Sequence, residues 1–277
     1  MRGERRVVLE PPKRAPLAGS RWRPETRRTC ASHLAPAIAE AEMDLFVATM
    51  PAAYERLYGA KEAAEHAAIV ARRGAKLVHA ELWQSPKGAL LCVVAEDRPG
   101  LLALVTDALL AQGVAIESAR AFCREVGKER VEAVDFLGLR APGGAEDVAA
   151  QLEGDVLEAF ERSLSELIAE DMTPRTSNPP SAPATLLQPT RVYFERQSLA
   201  DGCYLLVVDA PDSDGLLHAV SSALHEKGMR IMACEIRTVE GRALDRFEIE
   251  PSAPRSLKDV ELCDIQLAVR DALPSRR

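Results

Sequence analysis

The sequence predicts an α+β protein of two like-built units, each with the element order ββαββα. Three observations carry that expectation. A segment occurs twice, LLCVVAEDRPGLL at 90–102 and LLVVDAPDSDGLL at 205–217. After each copy, apolar strand runs and helical i, i+3, i+4 stripes follow in the same order. The second copy ends on a helix, so no further strand closes its sheet.

The repeat keeps register at an offset of 115: Asp97 with Asp212, Gly100 with Gly215, Leu101 with Leu216, Gly113 with Gly228, Ile116 with Ile231. A duplication of this size means two domains built alike. Before the first copy, residues 50–73 read as helical, with Thr49 as N-cap ahead of Pro51 and Gly74 as a stop. Strands are expected at 76–83 and 89–95, a helix at 100–112 with Leu101, Leu104, Val105, Ala108 and Leu109 on one stripe, then strands at 114–123 and 131–139. A long amphipathic helix is expected over 145–171. Five prolines within 173–190 mark a linker. The second unit then reads as strands 191–196 and 203–209, helix 216–227, strands 229–239 and 242–250 around a Glu240-Gly241 turn, and helix 256–273.

The domain boundaries follow: a disordered basic tail over 1–45, a helical lead-in over 46–75, a first domain over 76–172, the linker, and a second domain over 191–275. Because each unit ends on a helix, its first strand can hairpin onto the central strand and fill the edge. The expected fold is a permuted ferredoxin-like sandwich, a four-stranded antiparallel sheet with two helices on one face.

Composition narrows the function. Residues 1–30 carry nine Lys/Arg against three acidic residues, while the remainder carries 26 against 39. An acidic body argues against nucleic acid as a partner. Residues 1–42 read as a solvated tail, or as an over-extended start ahead of Met43. No apolar run approaches a membrane span, and the first thirty residues lack the apolar stretch of a signal peptide. The six cysteines are widely spaced with no C-x-x-C pair, which fits reduced thiols in a cytoplasmic protein. The five histidines have no metal-ligand spacing, and no phosphate loop, dinucleotide fingerprint or nucleophile elbow is present. No catalytic residue, metal or cofactor is expected.

The duplicated turn is the candidate site. A helix entered from a central strand presents free N–H groups that favour anions. Gly100 and Gly215 allow close approach. Pro99 presets the helix start, and Asp97 can cap it or hold an ammonium. As a purely structural turn, the same residues are a cap, an N1 proline and a packing glycine.

The stretch 90–116, with its D-R-P-G-L-L turn and G-V-A-I strand entry, resembles the ACT domain, a small-molecule-sensing module of metabolic enzymes. Over about 46–273 the segments M-P-A-A-Y, H-A-A-I-V-A-R-R-G, T-R-V-Y-F-E and E-I-R-T-V-E-G-R-A-L-D-R-F-E-I resemble the regulatory part of bifunctional PII uridylyltransferase/uridylyl-removing enzymes. In that family tandem ACT units sense glutamine. The family's nucleotidyltransferase loop and His-Asp signature are absent from this sequence.

The resemblance implies a non-catalytic amino-acid sensor tied to nitrogen or amino-acid metabolism. Its partner would be a separately encoded enzyme or regulator. The implied site is Asp97, Arg98, Pro99, Gly100, Leu101 and Leu102, with the start of the next strand at Ala115, Ile116 and Glu117. A second, weaker site is expected at Asp212, Asp214, Gly215, Leu216 and Ile231, where the proline is lost and a second carboxylate opposes anions. The units pair within one chain or between two copies. The alternatives are a ligand-free interaction scaffold, or an enzyme of unknown type that resembles the uridylyltransferase without its catalytic residues.

Overall fold

A computed structural model of the protein describes residues 40–86, 88–127, 130–140, 155–172, 174, 189–195 and 202–273. Residues 1–39 of the tail expected over 1–45 and most of the proline-rich linker lie outside the described residues, as does the first part of the helix expected from 145.

Three short helices lead in: α1 (Glu40–Thr49), α2 (Ala52–Leu57) and α3 (Ala60–Arg73). The expected boundary at 45 falls inside α1. Thr49 closes that helix rather than capping the next one. Its hydroxyl donates back to the Leu45 and Phe46 carbonyls, both at 2.9 Å, and Pro51 occupies the N-cap of α2. Unit one follows as β1 (Val78–Ser85), β2 (Gly88–Glu96), α4 (Leu101–Ala111), β3 (Ala115–Glu125), β4 (Val131–Arg140) and α5 (Asp155–Ala169). Unit two is β5 (Arg191–Glu195), β6 (Tyr204–Pro211), α6 (Leu216–Glu226), β7 (Met229–Ile236), a short β8 (Thr238–Val239), β9 (Arg242–Pro251) and α7 (Asp259–Ala272).

Both units have the permuted ferredoxin-like, ACT-type order. In each, the first strand hairpins onto the second and supplies the edge. The strands join in one antiparallel sheet, β1-β2-β4-β3-β7-β9-β6-β5, with β8 on β9. The seam between units is β3 against β7, with Ala119 opposite Ile236 and Phe122 opposite Ala233. Both seam strands bulge at equivalent places, between Ile116 and Ser118 and between Ile231 and Ala233. Such an extra residue bends a strand and re-aims its side chains.

Strand alternation sorts the residues between two faces. Leu91, Val93, Leu137, Leu206, Val208, Phe247 and Ile249 face the helices and share one core with α4, α5, α6 and α7. On the opposite face of unit one, Trp83, Phe122 and Phe136 pack against Tyr54, Tyr58 and His66 of the lead-in helices. Glu132 of β4 is buried there and accepts Arg73 and Arg124, each at 2.8 Å. A doubly paired buried carboxylate pins α3 to the sheet. The lead-in is thus a lid on the second face of unit one.

Candidate ligand-binding site

Each duplicated turn ends in a glycine with left-handed backbone, Gly100 at φ 82° and Gly215 at φ 81°. A side chain rarely adopts that conformation, so glycine is required at both. The Gly100 turn closes by a bond from the Leu101 N–H to the Arg98 carbonyl, and the Leu104 N–H reaches the Gly100 carbonyl. Leu101 therefore cannot offer its N–H to a ligand. Leu102 and Ala103 are the first-turn donors without an intrahelical partner.

The structure rearranges the expected site crosswise. Ala115, Ile116 and Glu117 do not join the Gly100 turn. The eleven residues of α4 carry the chain back by roughly 16 Å, so β3 begins at the opposite end of the sheet. The register agrees, because Glu96 pairs with Glu132 while Ala115 pairs with Arg140 at the far end of β4. The antiparallel seam then brings the start of each seam strand to the turn of the other unit. Ile231 lines the cleft of Asp97 and Gly100, and Ile116 and Glu117 line the cleft of Asp212 and Gly215. Each of the two turns thus lines a cleft shared between units.

Cleft one holds Asp97, Gly100, Leu101 and Leu102 from unit one, and His225, Met229, Arg230 and Ile231 from unit two. Arg230 donates to Asp97 at 2.6 Å and to Glu250 at 3.1 Å. The His225 ring lies so close over Gly100 that a Cβ there would sit 2.9 Å from Nδ1. Pro99 is exposed at the rim. Arg98 borders the cleft but spends its guanidinium on the end of α5, bonding the Ile168 carbonyl at 2.7 Å and the Asp171 carboxylate. That is C-terminal capping of a helix by a cation.

Cleft two is the rotated copy, with Asp212, Ser213, Gly215 and Leu216 from unit two facing Ile116 and Glu117 from unit one. Its arginine is Arg140, from the other strand of the β3–β4 pair. Arg140 reaches Asp214 at 2.6 Å and Asp212 at 3.4 Å. The second carboxylate, expected to weaken this copy, is thus already offset by a cation from unit one.

Sequence reasoning missed four of these groups: Arg230, Arg140 and two buried aspartates. Asp135 on β4 lines cleft one at 3% exposure, and Asp245 on β9 lines cleft two at 0%. Burial pushes both carboxyls up to about 8, helped at Asp135 by Asp97 and at Asp245 by Asp212, while a backbone bond from Arg237 opposes the shift at Asp245. The signal was a carboxylate inside the same apolar strand of both repeats, hidden because the offset there is 110 rather than 115.

As they stand the clefts are nearly closed. Cleft one encloses about 30 Å³ and cleft two about 20 Å³, room for about one water molecule each. A larger hollow of about 840 Å³ lies on the other face, between α2 and the ends of β3 and β7. Most of its polar groups are paired: Arg120 with Glu235 at 3.8 Å, Arg237 with Glu235 at 2.5 Å, and Trp83 with Glu65 at 2.8 Å. Cys123 lines cleft one and Cys234 lies in the seam; burial raises both thiols, which disfavours the reactive thiolate. Among the described residues, no group of three His, Cys, Asp or Glu side chains could hold a metal ion. No described helix is long and apolar enough to cross a membrane.

No family model matches the chain, and no curated protein matches it. Among solved structures it is similar to an aspartate kinase from Synechocystis, with 13% identity and a TM-score of 0.33. The match covers 83% of this chain and 32% of that one, so the chain spans about a third of that kinase's length.

Proposed function

We propose that the protein is a non-catalytic regulatory module whose clefts between units take up an amino acid. One observation carries the reading. Each cleft sets a carboxylate of one unit against an arginine of the other, beside a helix N-terminus. A zwitterion is complementary to that arrangement: its ammonium replaces Arg230 at Asp97, and its carboxylate takes Arg230 together with the Leu102 and Ala103 N–H groups. Because cleft one holds only about a water molecule's space, a ligand must part Arg230 from Asp97. Occupancy is then coupled to how the units pack, and a ligand shifts that packing by its differential affinity.

The resemblance to uridylyltransferase regulatory regions makes glutamine the first ligand to try, and nitrogen metabolism the setting. A separately encoded cytoplasmic enzyme or regulator would read the state. The raised thiols of Cys123 and Cys234 fit a role without catalysis.

Titration of the folded chain with each of the twenty amino acids tests this reading. Binding in the micromolar to millimolar range is expected, and Arg230→Ala should weaken it at least tenfold. The small, internally paired clefts also favour a scaffold without a ligand, and absence of binding at millimolar ligand would leave that reading standing. Detectable UMP transfer to a PII protein by the purified chain would overturn the non-catalytic assignment.

A further inference from the structure

Cleft two differs from cleft one in what it leaves unsatisfied. Asp245 Oδ1 accepts the Arg237 backbone N–H at 3.4 Å, but Oδ2 is buried without a hydrogen-bond partner. The Ser213 hydroxyl, on the turn of the same cleft, is also buried without one. A buried carboxyl oxygen without a donor is costly and uncommon in a folded protein. The other titratable groups lining the cleft with Asp245 are Asp212, Glu117 and His218, the last on α6 beside Thr106, with Arg140 and Asp214 paired at the mouth. Carboxylates outnumber cations, and Arg140 engages the two at the turn rather than Asp245.

We propose that cleft two is a site for a small organic cation, with an ammonium or guanidinium head seated between Asp245 and Ser213. This rests on the clefts being ligand sites but assigns cleft two a different chemistry from cleft one. Once Asp245 has given up its proton, the head supplies the N–H donors that its carboxylate and the serine oxygen then lack. Arg140 competes with it, since its own guanidinium occupies the acidic mouth through which the ligand enters. Entry of the cation also drives the Asp245 proton out, because burial holds that carboxyl protonated up to about 8.

The test is calorimetric titration of the full chain with L-arginine and agmatine against L-citrulline, which keeps arginine's shape but replaces the guanidinium with a neutral urea. Arginine and agmatine should bind at least tenfold more tightly than citrulline. Asp245→Asn, nearly the same shape, should lose that preference, and Arg140→Gln should strengthen binding. Arg72→Gln, at an exposed ion pair with Glu81 outside both clefts, should leave it unchanged. Titration at pH 7 in two buffers of different ionisation enthalpy should show proton release that is absent in Asp245→Asn. Equal binding of arginine and citrulline, or unchanged arginine binding in Asp245→Asn, overturns the proposal. Neutral amino acids binding in an Arg230-dependent way without any Asp245-dependent cation binding would overturn it while leaving the sensor reading intact. Asp245-dependent cation binding without any Arg230-dependent ligand would do the reverse.

Discussion

At the scale of residues, the two buried aspartates set a pH dependence of unusual sign. Both carboxyls keep their protons up to about 8 in the fold, against 3.8 for an ordinary aspartate. Between those values the folded state holds protons that the unfolded chain has released. Stability therefore falls as pH rises through that window, by roughly 1 kcal/mol per pH unit for each group. Around Asp135 stand Asp97, Arg98, Cys123, Arg230 and His225, and around Asp245 stand Asp212, Glu117, His218 and Arg140. The double variant Asp135→Asn/Asp245→Asn should be more stable than the parent at pH 8 and show a flatter profile from pH 5 to 8. Urea unfolding at several pH values measures this, and a parent that gains stability across that range would contradict the assignment. Gly100 yields a second expectation. Alanine there meets both a left-handed backbone and the His225 ring, so Gly100→Ala should cost about 1–3 kcal/mol, read as a lowered Tm. The glycine was legible in the repeat. Asp135 was not, because a lone acidic residue in a strand pattern normally marks the solvent face, and only the second repeat's Asp245 argues otherwise.

At the scale of elements, the lead-in helices depend on an uncharged histidine. His66 is fully buried on α3, with Tyr54 Oη 2.7 Å from Nδ1 and the rings of Trp83 and Phe136 at 4.1 and 4.2 Å. Burial pulls its pKa down to about 3, well below the usual 6.5. Tyr54, kept protonated by burial, donates to Nδ1, which leaves the ring proton on Nε2 among the aromatic faces. A depressed histidine contributes stability that is fully present above 6.5 and is lost as pH falls toward 3. Acidification should therefore loosen α3 from β1 and β2 before the rest of the fold. Trp83 fluorescence in a Trp22→Phe background follows this. Emission should shift to the red between pH 6 and 4, whereas His66→Gln should show no such step; identical titrations of the two proteins would refute the role. The α3 helix itself was readable from the helical run that ends at its Gly74 stop. Its docking was not, since His66 on an alanine-rich helix carries no sign of the aromatic cage that other elements bring to it. The site was half readable for a related reason. Local sequence identified both turns, but which strand start faces which turn depends on the crossover length of α4 and on the β3–β7 seam, and neither is a local property.

At the scale of the whole molecule, one continuous sheet makes the units energetically dependent on each other. The shared core runs from Val78 and Leu91 of unit one to Ile265 and Leu273 of unit two. Helices α4 and α6 pack across the join, with Thr106 Oγ1 3.0 Å from His218 Nδ1. The two arginine–aspartate pairs cross the same join from opposite sides, Arg230 to Asp97 and Arg140 to Asp214. Separating the units would expose Ala121, Cys234 and Ile236 at the seam and break the arginine–aspartate pair of each cleft. Unfolding should thus be one cooperative transition, with calorimetric and van't Hoff enthalpies equal; two resolved transitions would show that the seam does not couple the halves. The same coupling makes the clefts interdependent. A ligand that parts Arg230 from Asp97 relaxes one side of the join and changes the geometry that Arg140 and Asp214 share on the other. Occupation of cleft one should therefore alter affinity at cleft two, and by linkage the reverse must hold to the same factor. Paired titrations, each ligand with and without the other at saturation, measure that factor. A value of one in both directions would mean that the clefts act alone and that the sheet between them is rigid.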